Sequence, residues 1–197
     1  MDRDSTRVAP GIGRLSVLMP PGAYTIKLTV DGQSYTQPLE VRKDPNDNVT
    51  DQDIAASTSM LLALQSDLSA VSDMLGTIES LRSQIQHLGA TGDGHNRSDA
   101  FEQKLLSVEG SIVDLRMTGR GQDEVRYPVM IGGQLAYLAG GVSASDFTPT
   151  TQQKEVQQIL ENQLKETRAA LDRLIQTDLP AFNSDLKAKG LKEIQAK

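Results

Sequence analysis

The sequence predicts an α+β fold, mainly α: a short N-terminal β-hairpin followed by an antiparallel bundle of three to four helices. Three observations carry this. From Ile54 to Ile85 apolar residues fall on a heptad, one line running Ile54, Leu61, Leu68, Leu75 and the other Leu64, Val71, Ile78, Ile85, which is the spacing of a long helix packed on other helices. Upstream, apolar and polar residues alternate on both sides of Asp31-Gly32, the pattern of two strands joined by a tight turn. Hydrophobic content is 38% and aromatic content only 4%, with no Trp, so a core must be aliphatic, which suits helix packing better than a β-sandwich.

The elements follow in order. Residues 1–13 are polar and punctuated by Pro and Gly. Arg14–Met19 reads as a short strand that Pro20-Pro21-Gly22 ends in a turn. Ala23–Val30 alternates, with Tyr24, Ile26, Leu28 and Val30 on one face and Thr25, Lys27 and Thr29 on the other. Gln33–Arg42 returns with Tyr35, Leu39 and Val41 inward, and Pro38 marks an edge or a bulge. Two or three strands do not make a stable sheet alone. The hairpin must therefore bury its apolar face on the helices, or belong to a sheet whose other strands lie upstream.

The expected organisation is a hairpin over 1–43, a linker over 44–50 and a helical bundle over 51–197. Thr50 or Asp51 caps a helix over 51–88, broadened by Met60, Met74, Leu81 and Leu88 and interrupted by Gly76. After a Gly-rich loop, Ser98 is expected to cap a second helix to about Met117, striped by Phe101, Leu105, Val108, Ile112 and Leu115. A third begins near Pro128, with Ile131, Leu135, Leu138 and Val142 on one face. Thr148-Pro149 opens a fourth, with Pro149 in its first turn and Val156, Leu160, Leu164, Thr167, Leu171 and Leu174 inside. Leu179-Pro180 is expected to break or kink it, and Phe182, Leu186 and Leu191 pack beyond.

Composition narrows function. The net charge of −6, without a basic patch, argues against nucleic acid. The absence of cysteine excludes disulfides, thiolate catalysis and Cys-ligated zinc. No apolar run approaches the ~20 residues of a membrane helix, and the N-terminus lacks the apolar stretch of a signal peptide.

Motifs for chemistry are sparse. Asp44, Asn46 and Asn48 match the first, third and fifth positions of a calcium loop. Val49 stands where Gly is needed and Ala55 where Glu is needed, so the loop reads as a helix-start linker. His87 lies near a helix C-terminus, where the dipole favours imidazolium. His95, between Asp93 and Asp99, has no third strong ligand nearby and reads as a solvated loop residue. Gly132-Gly133-Gln134 repeats a tripeptide of peptide-chain release factors, but lies in a short amphipathic helix of an acidic chain, where its glycines serve close helix approach. Asp123-Glu124 is a carboxylate pair in a charged loop rather than across a cleft. No Gly-x-Ser-x-Gly elbow occurs. Asn48-Val49-Thr50 and Asn96-Arg97-Ser98 fit the glycosylation pattern that chance often produces. No catalytic, cofactor-binding or metal-binding residue is assigned.

The hairpin and its exit carry a resemblance. Pro21-Gly22-Ala23-Tyr24-Thr25-Ile26-Lys27-Leu28-Thr29-Val30-Asp31-Gly32, then Tyr35-Thr36-Gln37-Pro38-Leu39-Glu40-Val41-Arg42-Lys43-Asp44-Pro45, resembles the C-terminal region of large bacterial proteins with sortilin-like or sialidase-type (Asp-box, BNR-repeat, glycosyl-hydrolase-like) β-propellers. There an Ig-like sheet ends in such a hairpin and a helical segment follows. Leu135, Leu138, Gly140-Gly141-Val142, Ser145-Asp146, Pro149-Thr150 and Gln153 are similar to a helix junction of that family. Leu179-Pro180-Ala181-Phe182-Asn183, with Leu186 and Gly190, is similar to its C-terminal ending. The resemblance covers residues 20–192. It implies that the hairpin is the end of a partial Ig-like sheet and that any hydrolase activity lies in an upstream propeller, since this chain has no Asp-box and no Trp. No active-site residue carries over.

The expected function is therefore a non-catalytic scaffold or interaction module of a larger exported (periplasmic or extracellular) propeller protein, partnered by its upstream domains or by another protein. One alternative is a stand-alone helical interaction protein that forms homo- or hetero-oligomers. Another is an enzyme with a site near His95 and Asp123.

Overall fold

The computed structural model describes the backbone over residues 15–89, 95–117 and 123–196, and side chains over 15–88, 100–117 and 125–196. The fold is α+β and mainly α, as the periodicities predict: a two-stranded antiparallel hairpin followed by packed helices.

The strands β1 (Gly22–Val30) and β2 (Gln33–Val41) pair without a bulge, Val30 opposite Gln33 and Gly22 opposite Val41. Asp31 and Gly32 both take positive φ, 49° and 80°, the two-residue turn whose twist matches the strands. In such a turn the flanking pair Val30–Gln33 exchanges both main-chain hydrogen bonds, and bonded and non-bonded pairs alternate from there. Thr25–Pro38 is then a non-bonded pair. Its main-chain groups point outward, so Pro38 sits in register at no cost to the ladder. Of the two readings of Pro38, an edge and not a bulge is what forms.

The expected strand Arg14–Met19 is a correction: residues 15–20 have no regular structure. Leu15 and Val17 lean on the helical core, and Gln65 Nε2 donates to the Leu15 carbonyl at 2.9 Å, so this stretch satisfies itself on a helix rather than on a strand.

The helices are α1 (Asp51–Gly89), α2 (His95–Ile112), the short α3 (Asp123–Arg126), α4 (Ile131–Val142), α5 (Thr151–Arg173) and α6 (Leu179–Ala188). α1 opens with a reciprocal cap: the Asp53 amide donates to Thr50 Oγ1 and the Thr50 amide to Asp53 Oδ2, both at 3.1 Å. Its seam packs as the heptad predicts, with Leu64, Val71, Ile78 and Leu81 fully enclosed. α2, α4 and α5 all pack on it. An 18-residue stretch of α1 reaches a mean hydropathy of 1.2, enough in length and composition for a membrane span. Its apolar stripe is turned onto the other helices.

Several boundaries differ from expectation. α2 starts at His95 rather than at a Ser98 cap and stops at Ile112, not Met117. Asp114 accepts from the Arg116 amide at 3.0 Å and from its guanidinium at 2.6 and 2.9 Å. That local turn replaces another helical turn and leaves Leu115 exposed rather than on the stripe. α3 falls in a stretch read as loop, and Pro128 precedes α4 instead of starting it. Pro149 precedes the α5 cap: Thr150 Oγ1 accepts from the Gln153 amide, and the Gln153 side chain from the Thr150 amide. Val156 is exposed, whereas Leu160, Leu164, Thr167, Leu171 and Leu174 are buried. Pro180 does not break the rod. A π-turn over Leu174–Asp178 widens the backbone before it and Pro180 enters the first turn of α6. Phe182 then stacks on Phe101, ring centroids 5.2 Å apart.

Candidate interaction surface

The pleat puts Tyr24, Ile26, Leu28 and Val30 of β1 on the same side as Tyr35, Leu39 and Val41 of β2, because Tyr24 pairs with Leu39 and Leu28 with Tyr35. Only Gln33 and Gln37 interrupt this face, and no charge lies on it. The side chains that should make a core are open: Leu28 is 58% exposed, Ile26 53% and Leu39 42%. None belongs to the buried cluster of the helices. The opposite face carries Thr25, Lys27, Thr29, Ser34, Thr36 and Glu40, with Thr29 and Ser34 hydroxyls 3.1 Å apart. Tyr24 O–H donates to the Pro20 carbonyl at 2.6 Å and Tyr35 O–H to Gln33 Oε1 at 2.8 Å, so both rings keep their polar ends satisfied at the ends of the patch. This contiguous apolar face is the candidate interaction surface of the described residues.

The loop once comparable to a calcium site is spent on itself. Asp44 Oδ1 accepts from the Asn46 amide at 2.8 Å and Asp47 Oδ1 from the Val49 amide at 3.0 Å, while Val49 is buried and Lys43 Nζ donates to its carbonyl. These are turn contacts leading into the α1 cap. His87 is exposed, its Nδ1 2.6 Å from the Ser83 carbonyl. The side chains of His95, Asp93, Asp99, Asp123 and Glu124 lie outside the described residues. Gly132-Gly133-Gln134 opens α4, and a Cβ on Gly133 would stand 2.6 Å from Val129 Cγ1. At Gly133 the close approach is to Val129, the residue four positions earlier, rather than to another helix. Gln134 Nε2 donates to the Val129 carbonyl at 2.7 Å, closing the same turn. Among the described residues no three His, Asp or Glu side chains cluster as metal ligands.

The strongest electrostatics are structural. Arg82 and Glu109 are buried between α1 and α2, with Nη1 donating to Glu109 Oε2 at 2.9 Å. Arg82 Nε lies 3.4 Å from Glu102 Oε1, in ion-pair range but not aligned as a hydrogen bond. Sequence reading missed this cluster, although its signal was there: Arg82 falls on the seam between Ile78 and Ile85, and Glu109 between Leu105 and Ile112. Asp53 is held down at about 2 by hydrogen bonds from Thr148 and from Thr50, and the Thr148 hydroxyl ties the start of α1 to the chain ahead of α5. Asp114 is likewise held at about 2 by Arg116. Asp67 is pushed up, first by burial and then by the nearby Glu161, and its Oδ2 is enclosed without a hydrogen-bond partner. At the C-terminus, Asn183 clamps the Ile194 backbone through two bonds of 2.9 Å. Gln84 clamps the Gln195 backbone through bonds of 2.9 and 3.0 Å.

No protein-family model matches the chain, and comparison with curated proteins and with solved structures returns no match.

Proposed function

We propose that this chain is a non-catalytic scaffold and docking module of a larger exported propeller protein of the sortilin-like or glycosyl-hydrolase-like kind, in which the hairpin completes the sheet of a neighbouring Ig-like domain. One observation carries the docking reading: the hairpin offers a charge-free apolar face that its own helices do not cover. Hairpins of two strands are marginal in water without such cover. The helical seam supplies a rigid base from which the hairpin projects. The kind of parent protein rests on the residue patterns of the hairpin, the α4–α5 junction and α6.

The test is to read the source DNA ahead of the Met1 codon, express the segment encoded there as a separate polypeptide, and mix it with this chain. A complex that Ile26→Lys abolishes, while leaving the helical melting transition in place, is the expected result. An upstream frame without a β-rich domain, or a β-rich domain that does not bind, overturns the proposal. Concentration-dependent dimerisation of the chain alone would put the stand-alone oligomer in its place.

A further inference from the structure

We infer that the partner engages the hairpin by strand addition at the outer edge of β1, and that the occupant is an edge strand of a β-sandwich rather than a second copy of this chain. This rests on the docking reading above and adds the edge, the bonding groups and the chemistry of the strand received.

The two edges differ in what they offer. Counting from the bonded pair Val30–Gln33, the residues whose main-chain groups point away from the partner strand are Ala23, Thr25, Lys27 and Thr29 on β1, and Ser34, Thr36, Pro38 and Glu40 on β2. The β1 row is a complete set of donors and acceptors. The β2 row lacks a donor at Pro38, where the ring also occupies the bonding direction, the device that blunts an edge. Among the described residues the sheet holds two strands, and no described backbone group bonds to the β1 row. A third strand is therefore accepted on one side alone.

Area decides between occupants. A nine-residue hairpin presents a face of about 30 by 10 Å. Stacking two such faces buries about 300 Å² per copy, against about 800 Å² per partner in a stable interface. Pairing two β1 edges about a two-fold axis at Ile26 puts Tyr24 beside Leu28 of the other copy. It lays the two apolar faces side by side and covers neither. A sandwich with an unpaired edge strand supplies both the hydrogen bonds for β1 and a second sheet over Ile26, Leu28 and Leu39. Charge sets the rest: Lys27 is the only charged residue of β1 and faces uncharged Thr36 across the hairpin. The incoming strand then carries apolar residues beside Ile26 and Leu28 and an acidic residue beside Lys27.

A defined probe tests this on the whole chain. The peptide Ac-Thr-Val-Thr-Val-Glu-Val-Thr-Val-Thr-NH2 is titrated into isotopically labelled protein and read by amide shifts and hydrogen exchange. The expected result is protection of the Thr25 and Lys27 amides with Ser34, Thr36 and Glu40 unmoved, and weaker binding when the central Glu of the peptide is Lys. Thr25→Pro and Thr36→Pro both leave the hairpin ladder intact, since both positions point outward. Thr25→Pro should weaken binding about tenfold and Thr36→Pro should leave it unchanged, one main-chain hydrogen bond being lost in the first case only. Protection at the β2 edge, equal effects of the two proline variants, or no protection at either edge overturns the inference. Shifts confined to the Ile26, Leu28 and Leu39 methyls overturn strand addition while leaving the docking reading standing. Protection of β1 amides in concentrated protein without peptide makes the occupant a second copy and overturns the inference.

Discussion

The seam of α1 and the apolar face of the hairpin are written in the sequence with equal clarity, one at heptad spacing and one in strict alternation, and they meet opposite fates. Leu64, Val71 and Ile78 are sealed against α2, α4 and α5. Ile26, Leu28 and Leu39 stand half in solvent. Periodicity specifies which face is apolar. Whether it is buried depends on whether the chain folds enough complementary surface within reach. α1 has three helices to pack on, and full burial of each aliphatic side chain contributes about 1.5–3 kcal/mol. The hairpin has only its own width. The bundle is thus the part of this molecule that holds itself together, and the hairpin is the part that asks for something else.

Substitutions should separate the two regions sharply. The largest effect is expected for Leu68→Asp: Leu68 lies in the core cluster, and an unpaired buried charge there should cost about 3–5 kcal/mol. A thermal melt followed by circular dichroism checks it, and an unchanged midpoint would mean that the seam is not the organising core.

A smaller effect concerns Asp67, whose pKa is raised by burial and by Glu161. A raised carboxyl contributes stability below its ordinary value of 3.8 and loses it as the pH rises through the raised value. Asp67→Asn should therefore raise the melting temperature at pH 7, and the gain should vanish near pH 3. Asp53 and Asp114, held at about 2, act in the opposite sense. Their contribution is present above 3.8 and is lost as the pH falls towards about 2, so removing the Thr148 hydroxyl with Thr148→Val should flatten the acid limb of stability against pH.

The smallest effect is expected on the hairpin. Ile26→Thr keeps a β-branched side chain on an exposed position and should change the stability of the chain by within about 0.5 kcal/mol. A loss comparable to a core substitution would show that the hairpin face is buried in solution and would dissolve the contrast between the regions.

How much could be read in advance varies with the kind of signal. The strand pairing about Asp31-Gly32 and the helix positions of Leu64, Leu105, Leu135 and Leu160 were legible, because turn chemistry and side-chain period are local properties. Boundaries were less so. The stop at Ile112 depends on Asp114 turning its carboxylate onto Arg116, and the start of α5 on Thr150 rather than Thr148 serving as the cap, since the Thr148 hydroxyl goes to Asp53. Leu15 and Val17 looked like strand residues because alternation does not reveal whether a partner strand exists. The exposure of the candidate surface was open in sequence between two outcomes, cover by the helices or by another sheet.

By itself the sequence determined the hairpin, its register and the apolar stripes of the helices, since backbone dihedral preferences and side-chain spacing act over a few residues. Only the tertiary structure decided that α2, α4 and α5 all pack on α1, that Arg82 and Glu109 pair inside the bundle, that Asn183 and Gln84 pin the C-terminal backbone, and that the hairpin face is left open. These depend on which elements meet beyond the reach of one helical turn or one hairpin, where geometry and available area, rather than local preference, choose the partner.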